Sequence, residues 1–202
     1  MINCDGGGAD KRHESRRRQI IDAAIRCFRK NGFHAASMAS LAKEAGMSVG
    51  HIYHYFENKE AIIAAFIEDG IEGFRGYMEQ MQAYEGSFVD AMVEQADFGF
   101  EDMCDPDRAS LFLEVTVEAS RNPKIAAMVQ ETDLGMRTML ARMIAETCGC
   151  TKPDAADRLM ARVEMIAAVY EGLTIRAIRN PQMDREAVVE ALRLVIARLL
   201  AP

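Results

Sequence analysis

Apolar positions in this chain recur at intervals of three and four from Ile20 onward, and no stretch alternates with a period of two. With Val and Ile dispersed among Ala, Met, Leu and Glu, that pattern predicts an all-α fold of about nine helices. Residues suited to helix ends mark the boundaries. The first helix leads from Arg16, Arg17 and Arg18 through Asn31, carries Ile20, Ala24, Cys27 and Phe28 on one side, and stops at Gly32. A long helix starts at Asn58-Lys59-Glu60, with Ile63, Ile67, Ile71, Phe74, Met78 and Met81 as its inner stripe. Gly70, Gly73 and Gly76 fall three apart in it and are read as making room for close packing. Later helices start at Ser87 with Asp90, at Asp105-Pro106, at Asn122-Pro123, at Thr151 with Asp154 and at Asp184, while Gly149 closes the one that reaches Cys148.

Between the first helix and the long one lies SMASLAKEAGMSVGHIYHYFENK, residues 37–59, whose spacing is more specific. Ser37 caps a helix with Met38, Leu41, Ala42 and Ala45 on one face, and Gly46 supplies a left-handed end at no steric cost. Ser48 then caps a second helix from Val49 to Tyr55. Two short helices joined by a tight turn make a helix-turn-helix. In the second, Val49, Ile52 and Phe56 can face inward, which leaves Gly50, His51, Tyr53, His54 and Tyr55 around the remaining circumference. Aromatic hydrogen-bonding groups are poor core material; they suit base edges and phosphates in a major groove, and a small residue such as Gly50 lets a backbone come close. A lone histidine there would read as a solvated side chain, but the assembled string points to DNA.

Ser37, Leu41-Ala42, Ala45-Gly46, Ser48, Gly50, Ile52-Tyr53, Tyr55-Phe56 and Lys59 together closely resemble the DNA-binding head of the TetR family of bacterial transcriptional regulators. The likeness covers about a quarter of the chain, from near Arg16 into the start of the long helix. Ser37 stands where the family often has Thr, and Met47 where it often has Val; neither change removes the hydroxyl or the apolar contact. Residues 1–14, Gly-rich, polar and without periodicity, are expected to be a disordered tail in the absence of DNA; the resemblance implies a DNA-binding domain at 15–58 and a ligand-binding and dimerisation domain at 59–202. It implies a ligand-responsive homodimer that represses from double-stranded operator DNA. The DNA contacts it implies are Arg16, Arg17, Arg18, Ser37, Ser48, Gly50, His51, Tyr53, His54, Tyr55 and Lys59, with Tyr53 and Lys59 on phosphates. The arginine run serves equally well as an arm reaching phosphates or the minor groove and as a solvated helix start.

Charge sharpens the division. Residues 11–59 hold ten Lys and Arg against four Asp and Glu, a net of +6, whereas residues 60–202 hold fourteen against twenty-five, a net of −11. A basic head on an acidic body concentrates phosphate attraction in one place, which the global pI near 5.2 conceals. The 202 residues, half of them hydrophobic, suffice for one sizeable core and a small satellite. No apolar run approaches a membrane span, and MINCDGGGADKRHESRRR has no apolar segment after its charges, so the expected location is the cytoplasm. Five scattered cysteines suit a reducing compartment.

The expected ligand lies in the body between residues 85 and 180, where methionines and phenylalanines supply adaptable apolar surface, each of them individually ordinary core. By resemblance to the family's inducer pocket, the candidates are Phe98, Met103, Phe112, Glu118, Met139 and Tyr170. Glu114, Glu118, Glu164 and Glu171 would suit a cationic ligand, though solvation or pairing with Arg121 or Arg176 explains them as well. Apolar residues run nearly round the helix at 165–178, and the last helix has a broad stripe from Val188 to Leu199. In the resembled family the last two helices form the dimer interface, which would here use Met165, Val169, Leu173, Leu192, Ile196 and Leu199. An enzyme is not expected, nor a cofactor or metal: all four histidines stand at 13, 34, 51 and 54, which leaves the body without a His base or ligand, and GGG at 6–8 lies outside any strand-to-helix turn. The alternatives are a DNA-binding protein whose body recruits another protein, and a redox sensor using Cys148-Gly149-Cys150.

Overall fold

The computed structural model describes residues 6–148 and 153–201, which form ten helices and no strand. They divide into two compact units, residues 1–69 with 110–127 and residues 70–109 with 128–202. That division differs from the expected boundary at 58: the first 11 residues of the long helix and a segment of the body group with the head.

In the first unit, α1 (Gly6–Ala35), α2 (Met38–Ala45) and α3 (Val49–Tyr55) are followed by the start of α4 (Lys59–Gln82). The end of α7 (Pro106–Ala119) and the start of α8 (Pro123–Cys148) complete it. Helix α1 begins well before Arg16, so residues 6–14 are helical where a tail was expected. From Ala9 the segment ADKRHESRRR contains strong helix formers with no breaker, and these outweigh the glycine-rich composition ahead of them. At the other end Gly32, at φ 75° and ψ 159°, breaks the helix where expected, and a single turn follows through Ala35. The amphipathic pattern is realised in a core of Ile20, Ile21, Ala24, Cys27, Phe28, Leu41, Ala42, Ile52, Phe56, Ile62, Ile63 and Ile125. Each large aliphatic side chain among them contributes about 1.5–3 kcal/mol by leaving water.

The second unit is built from the rest of α4 with α5 (Phe88–Glu94), α6 (Ala96–Cys104), most of α8, α9 (Pro153–Arg179) and α10 (Arg185–Leu200). The extra helix relative to expectation arises at Gln95, whose φ of −93° and ψ of 18° divide α5 from α6. Met78, Met81, Phe88, Met92, Phe100, Met143, Ile144, Val163, Ile166, Leu192 and Ile196 form a single core cluster. The buried Thr174 hydroxyl donates to the carbonyls of Met103 and Tyr170, both at 3.1 Å, and ties α9 to the end of α6.

The cap signals hold where they are described: Ser87 and Asp90 form a capping box, Asp105 accepts from Asp107 N and Arg108 N, Asn122 from Lys124 N, and Asp184 from Ala187 N. The expected stop at Gly149 and box at Thr151 lie outside the described residues, as does the redox reading of Cys148 and Cys150. Packing does not explain the α4 glycines, because a Cβ at Gly70, Gly73 or Gly76 would meet no heavy atom within 4 Å. No helix among the described residues is long and apolar enough to cross a membrane.

The candidate nucleic-acid interface

Backbone chemistry assembles the helix-turn-helix. Ser37 accepts from Ser40 N while Ser40 Oγ accepts from Ser37 N at 2.8 Å, a capping box made of two serines. Gly46, at φ 67° and ψ 32°, ends α2 in the left-handed conformation, and Gln19 Nε2 donates to Ala45 O at 2.8 Å, satisfying a carbonyl of that last turn. Ser48 accepts from His51 N and opens α3.

Helix α3 buries Ile52 and leaves Gly50, His51, Tyr53 and His54 exposed, Tyr53 at 53%. Val49 is exposed too, contrary to its expected inward position, because it stands in the first turn, where the chain emerges from Ser48. The half-buried Tyr55 gathers histidines: His51 stacks at 5.5 Å between centroids, His13 lies at 4.8 Å, and His54 meets its edge at 5.2 Å. The contact from His13 means that the early turns of α1 reach the recognition surface, which nothing in the spacing of residues 1–14 had indicated.

The arginine run has a use that neither sequence reading included. Arg17 pairs with Glu68 at 3.3 Å and Asp69 at 3.8 Å, and its guanidinium lies 5.6 Å from the Phe56 ring centroid. Arg18 pairs with Asp22 at 3.2 Å and Asp69 at 2.9 Å, so two of the three arginines pin α1 to α4, while exposed Arg16 bonds Gln19 at 2.7 Å.

Lys59 is also engaged internally: its Nζ donates to Phe33 O at 2.7 Å and His34 O at 3.3 Å. Nearby, Glu118 belongs to this first unit and not to the expected ligand cluster. Only 4% exposed, it lies 3.0 Å from His34 Nε2 and accepts from Asn122 Nδ2 at 3.2 Å. The same amide donates to Glu60 Oε1 at 2.9 Å, and Lys124 adds an ion pair at 3.1 Å, so these bonds hold the Glu60 carboxyl below its ordinary range. Phe33, His34, Asn58, Lys59, Glu60, Glu118 and Asn122 line a cleft of about 480 Å³.

Of the other ligand candidates, Phe112 falls in the first unit, and Phe98, Met103, Met139 and Tyr170 in the second. Phe98 stacks on Tyr77 at 4.9 Å, and Tyr170, pushed up to about 12 by burial and by the charge of Asp97, rests against Gly99. The expected dimer contacts need correction at two positions. Leu192 and Ile196, at 3% and 0% exposure, are consumed by the core of their own unit, and Val169, Leu173 and Leu199 pack partly against it. Met165 is exposed, as are Ile175, Ile178, Leu194 and Val195.

Residues 20–66 match the family described as bacterial regulatory proteins, tetR family, and residues 89–201 match the C-terminal region of BetI-type transcriptional repressors. The HTH-type transcriptional regulator UidR of Escherichia coli K12 is 31% identical over 194 residues, which span 91% of this chain and 92% of that protein. Among solved structures, GusR of Salmonella enterica superposes with a TM-score of 0.75 at 26% identity, covering 93% of this chain and 96% of that one. FadR of Bacillus subtilis in complex with stearoyl-CoA shares the fold, with a TM-score of 0.75 at 23% identity over 91% of this chain and 97% of that one. The chain belongs to the TetR family of bacterial transcriptional regulators.

Proposed function

We propose that this regulator is a homodimeric repressor that places α3 in the major groove of a two-fold operator and leaves it when a small molecule binds the second unit. The observation that carries the reading is the doubly capped helix-turn-helix, from which His51, Tyr53 and His54 project beside the exposed Gly50 without contributing to the core. Such side chains supply the donors and acceptors that base edges and phosphates require. Arg16 and the serine hydroxyls at 37 and 48 flank them, whereas Arg17 and Arg18 would have to exchange a carboxylate for a phosphate to join. The outer residues Met165, Ile175, Leu194 and Val195 on the last two helices support pairing with a second copy through α9 and α10. Met139 and Tyr170, which pack against the core cluster of the second unit, and Phe98, stacked on Tyr77, support an effector site there.

The test begins with DNA enriched from a random library by the purified protein, followed by footprinting. Two protected half-sites about 34 Å apart, or a multiple of that repeat, are expected. Tyr53→Ala and His54→Ala should each weaken binding without lowering the melting temperature. Failure to enrich any DNA, or protection indifferent to both substitutions, overturns the docking.

A further inference from the structure

The break at Gly32 leaves two backbone acceptors in need. In an uninterrupted helix, Phe33 O and His34 O would receive the N–H groups of Ser37 and Met38. Here Ser37 is the cap of α2, with its N–H donated to Ser40 Oγ at 2.8 Å, and Met38 is the first residue of α2. The donor that reaches both carbonyls comes from the start of α4: Lys59 Nζ lies 2.7 Å from Phe33 O and 3.3 Å from His34 O. The same ammonium sits 4.5 Å from the centroid of the Phe33 ring, which is buried and packs on Phe28 at 5.2 Å. Two carbonyl dipoles and an aromatic face thus surround a charge whose three N–H bonds are its only hydrogen-bonding groups.

We infer that Lys59 is a positioning residue for the recognition helix and not a phosphate ligand. Its bond to Phe33 spans 26 positions, and the closed loop contains all of α2, the turn and α3. The lysine therefore fastens the chain just before the helix-turn-helix to the chain just after it. Neighbouring contacts hold the same two points from the other side: Phe33 N donates to Glu114 Oε2 at 3.2 Å, His34 Nε2 meets Glu118, and Glu60 meets Asn122. With the loop closed, α2 and α3 are presented in one orientation between α1 and α4. With it open, the oriented state is only a fraction of the population, and the apparent affinity for DNA falls by that fraction. The inference rests on the reading of α3 as the recognition helix.

Lys59→Met, which keeps the apolar stem and removes the donors, separates positioning from phosphate contact. DNA binding would be followed by fluorescence anisotropy on the fragment enriched by the wild-type protein, across a range of salt, alongside amide hydrogen exchange without DNA. The expected result is roughly tenfold weaker binding at fixed salt, if about a tenth of the population stays oriented, with an unchanged slope of log affinity against log salt. Amides of α3 should exchange faster in the free variant. A slope shallower by about 0.9 would assign Lys59 to a phosphate and overturn the inference. Unchanged affinity and unchanged exchange would overturn it as well. Lys59→Gln, which keeps donors for one carbonyl, serves as the second variant if Met prevents folding, with a smaller loss at the same slope expected. Since exchange is measured on the free protein, failure of the clasp is distinguishable from failure of the DNA reading, which would show as no DNA enriched by the wild type.

Discussion

Replacing Gly32 by Ala tests how strongly the head depends on one backbone conformation. Gly32 holds φ 75° and ψ 159°, a region that side-chain-bearing residues almost never enter, at a cost of about 1–3 kcal/mol. Crowding adds little, since the nearest atom to the new Cβ would be Glu114 Oε2 at an ordinary 3.7 Å. The penalty is therefore torsional and cannot be relieved by moving a neighbour. For a chain of this size, it converts to a fall in melting temperature of about 2–12 °C. If Ala instead drew the segment toward helical torsions, Phe33 O and His34 O would turn away from Lys59, and DNA affinity would fall with stability. Thermal unfolding by circular dichroism, with Gly46→Ala as the comparison, reads the effect. Gly46 is left-handed at φ 67° and ψ 32° with nothing within 4 Å, so its cost is about 1–2 kcal/mol from backbone alone. A Gly32→Ala protein that melts within a degree of wild type and binds DNA equally well would refute the assignment of strain to this position.

Gly50→Ala should do the opposite to stability: within α3, with open space around it, the substitution gains about 0.5–1 kcal/mol, yet it should weaken DNA binding by keeping the helix backbone away from the groove. Tighter binding by this variant would show that the backbone does not approach the DNA there. Leu194→Glu, at a position 73% exposed, should yield a folded monomer by light scattering, whereas Leu192→Glu, at 3%, should yield unfolded or insoluble protein; a Leu194→Glu dimer of unchanged affinity would move the interface off that face. The Tyr170 phenol, raised from 10.0 to about 12 by burial, keeps its proton in the folded chain and loses it in the unfolded one. Its contribution is thus intact below pH 10 and lost as pH rises from 10 toward 12, so denaturant melts at pH 9.5 and 11.5 should differ less in Tyr170→Phe than in wild type.

The helix-turn-helix was readable because its determinants are local: Ser37, Gly46 and Ser48 each act within three or four residues of themselves. The side of α10 that meets the core was not readable in the same way. A broad stripe at spacings of three and four leaves two adjacent faces apolar, and packing against α5, α6 and α9 selects Leu192 and Ile196 while leaving Leu194 and Val195 outside. Partner choice over distance was less legible still. Glu118 looked like a ligand for a cation in an apolar string, and its partner His34 stands 84 positions earlier. Arg17 and Arg18 find Glu68 and Asp69 across 51 positions, a distance over which charge pattern says nothing about pairing.

These arginine pairs alter what the head offers to a polyanion. Arg17, Arg18, Arg26 and Lys59, all among the basic residues of the head, are already bound to carboxylates or backbone carbonyls of the same chain. Glu68 and Asp69 stand in for phosphates, so any arginine that moves to DNA must first give up a neutralising partner, and the gain from released counterions is offset by the exposed carboxylate left behind. The head is a weaker generic polycation than its formal +6 suggests. On the proposed docking, its hold on arbitrary DNA should be correspondingly loose, and discrimination of an operator would fall to the residues of α3, whose contacts depend on sequence.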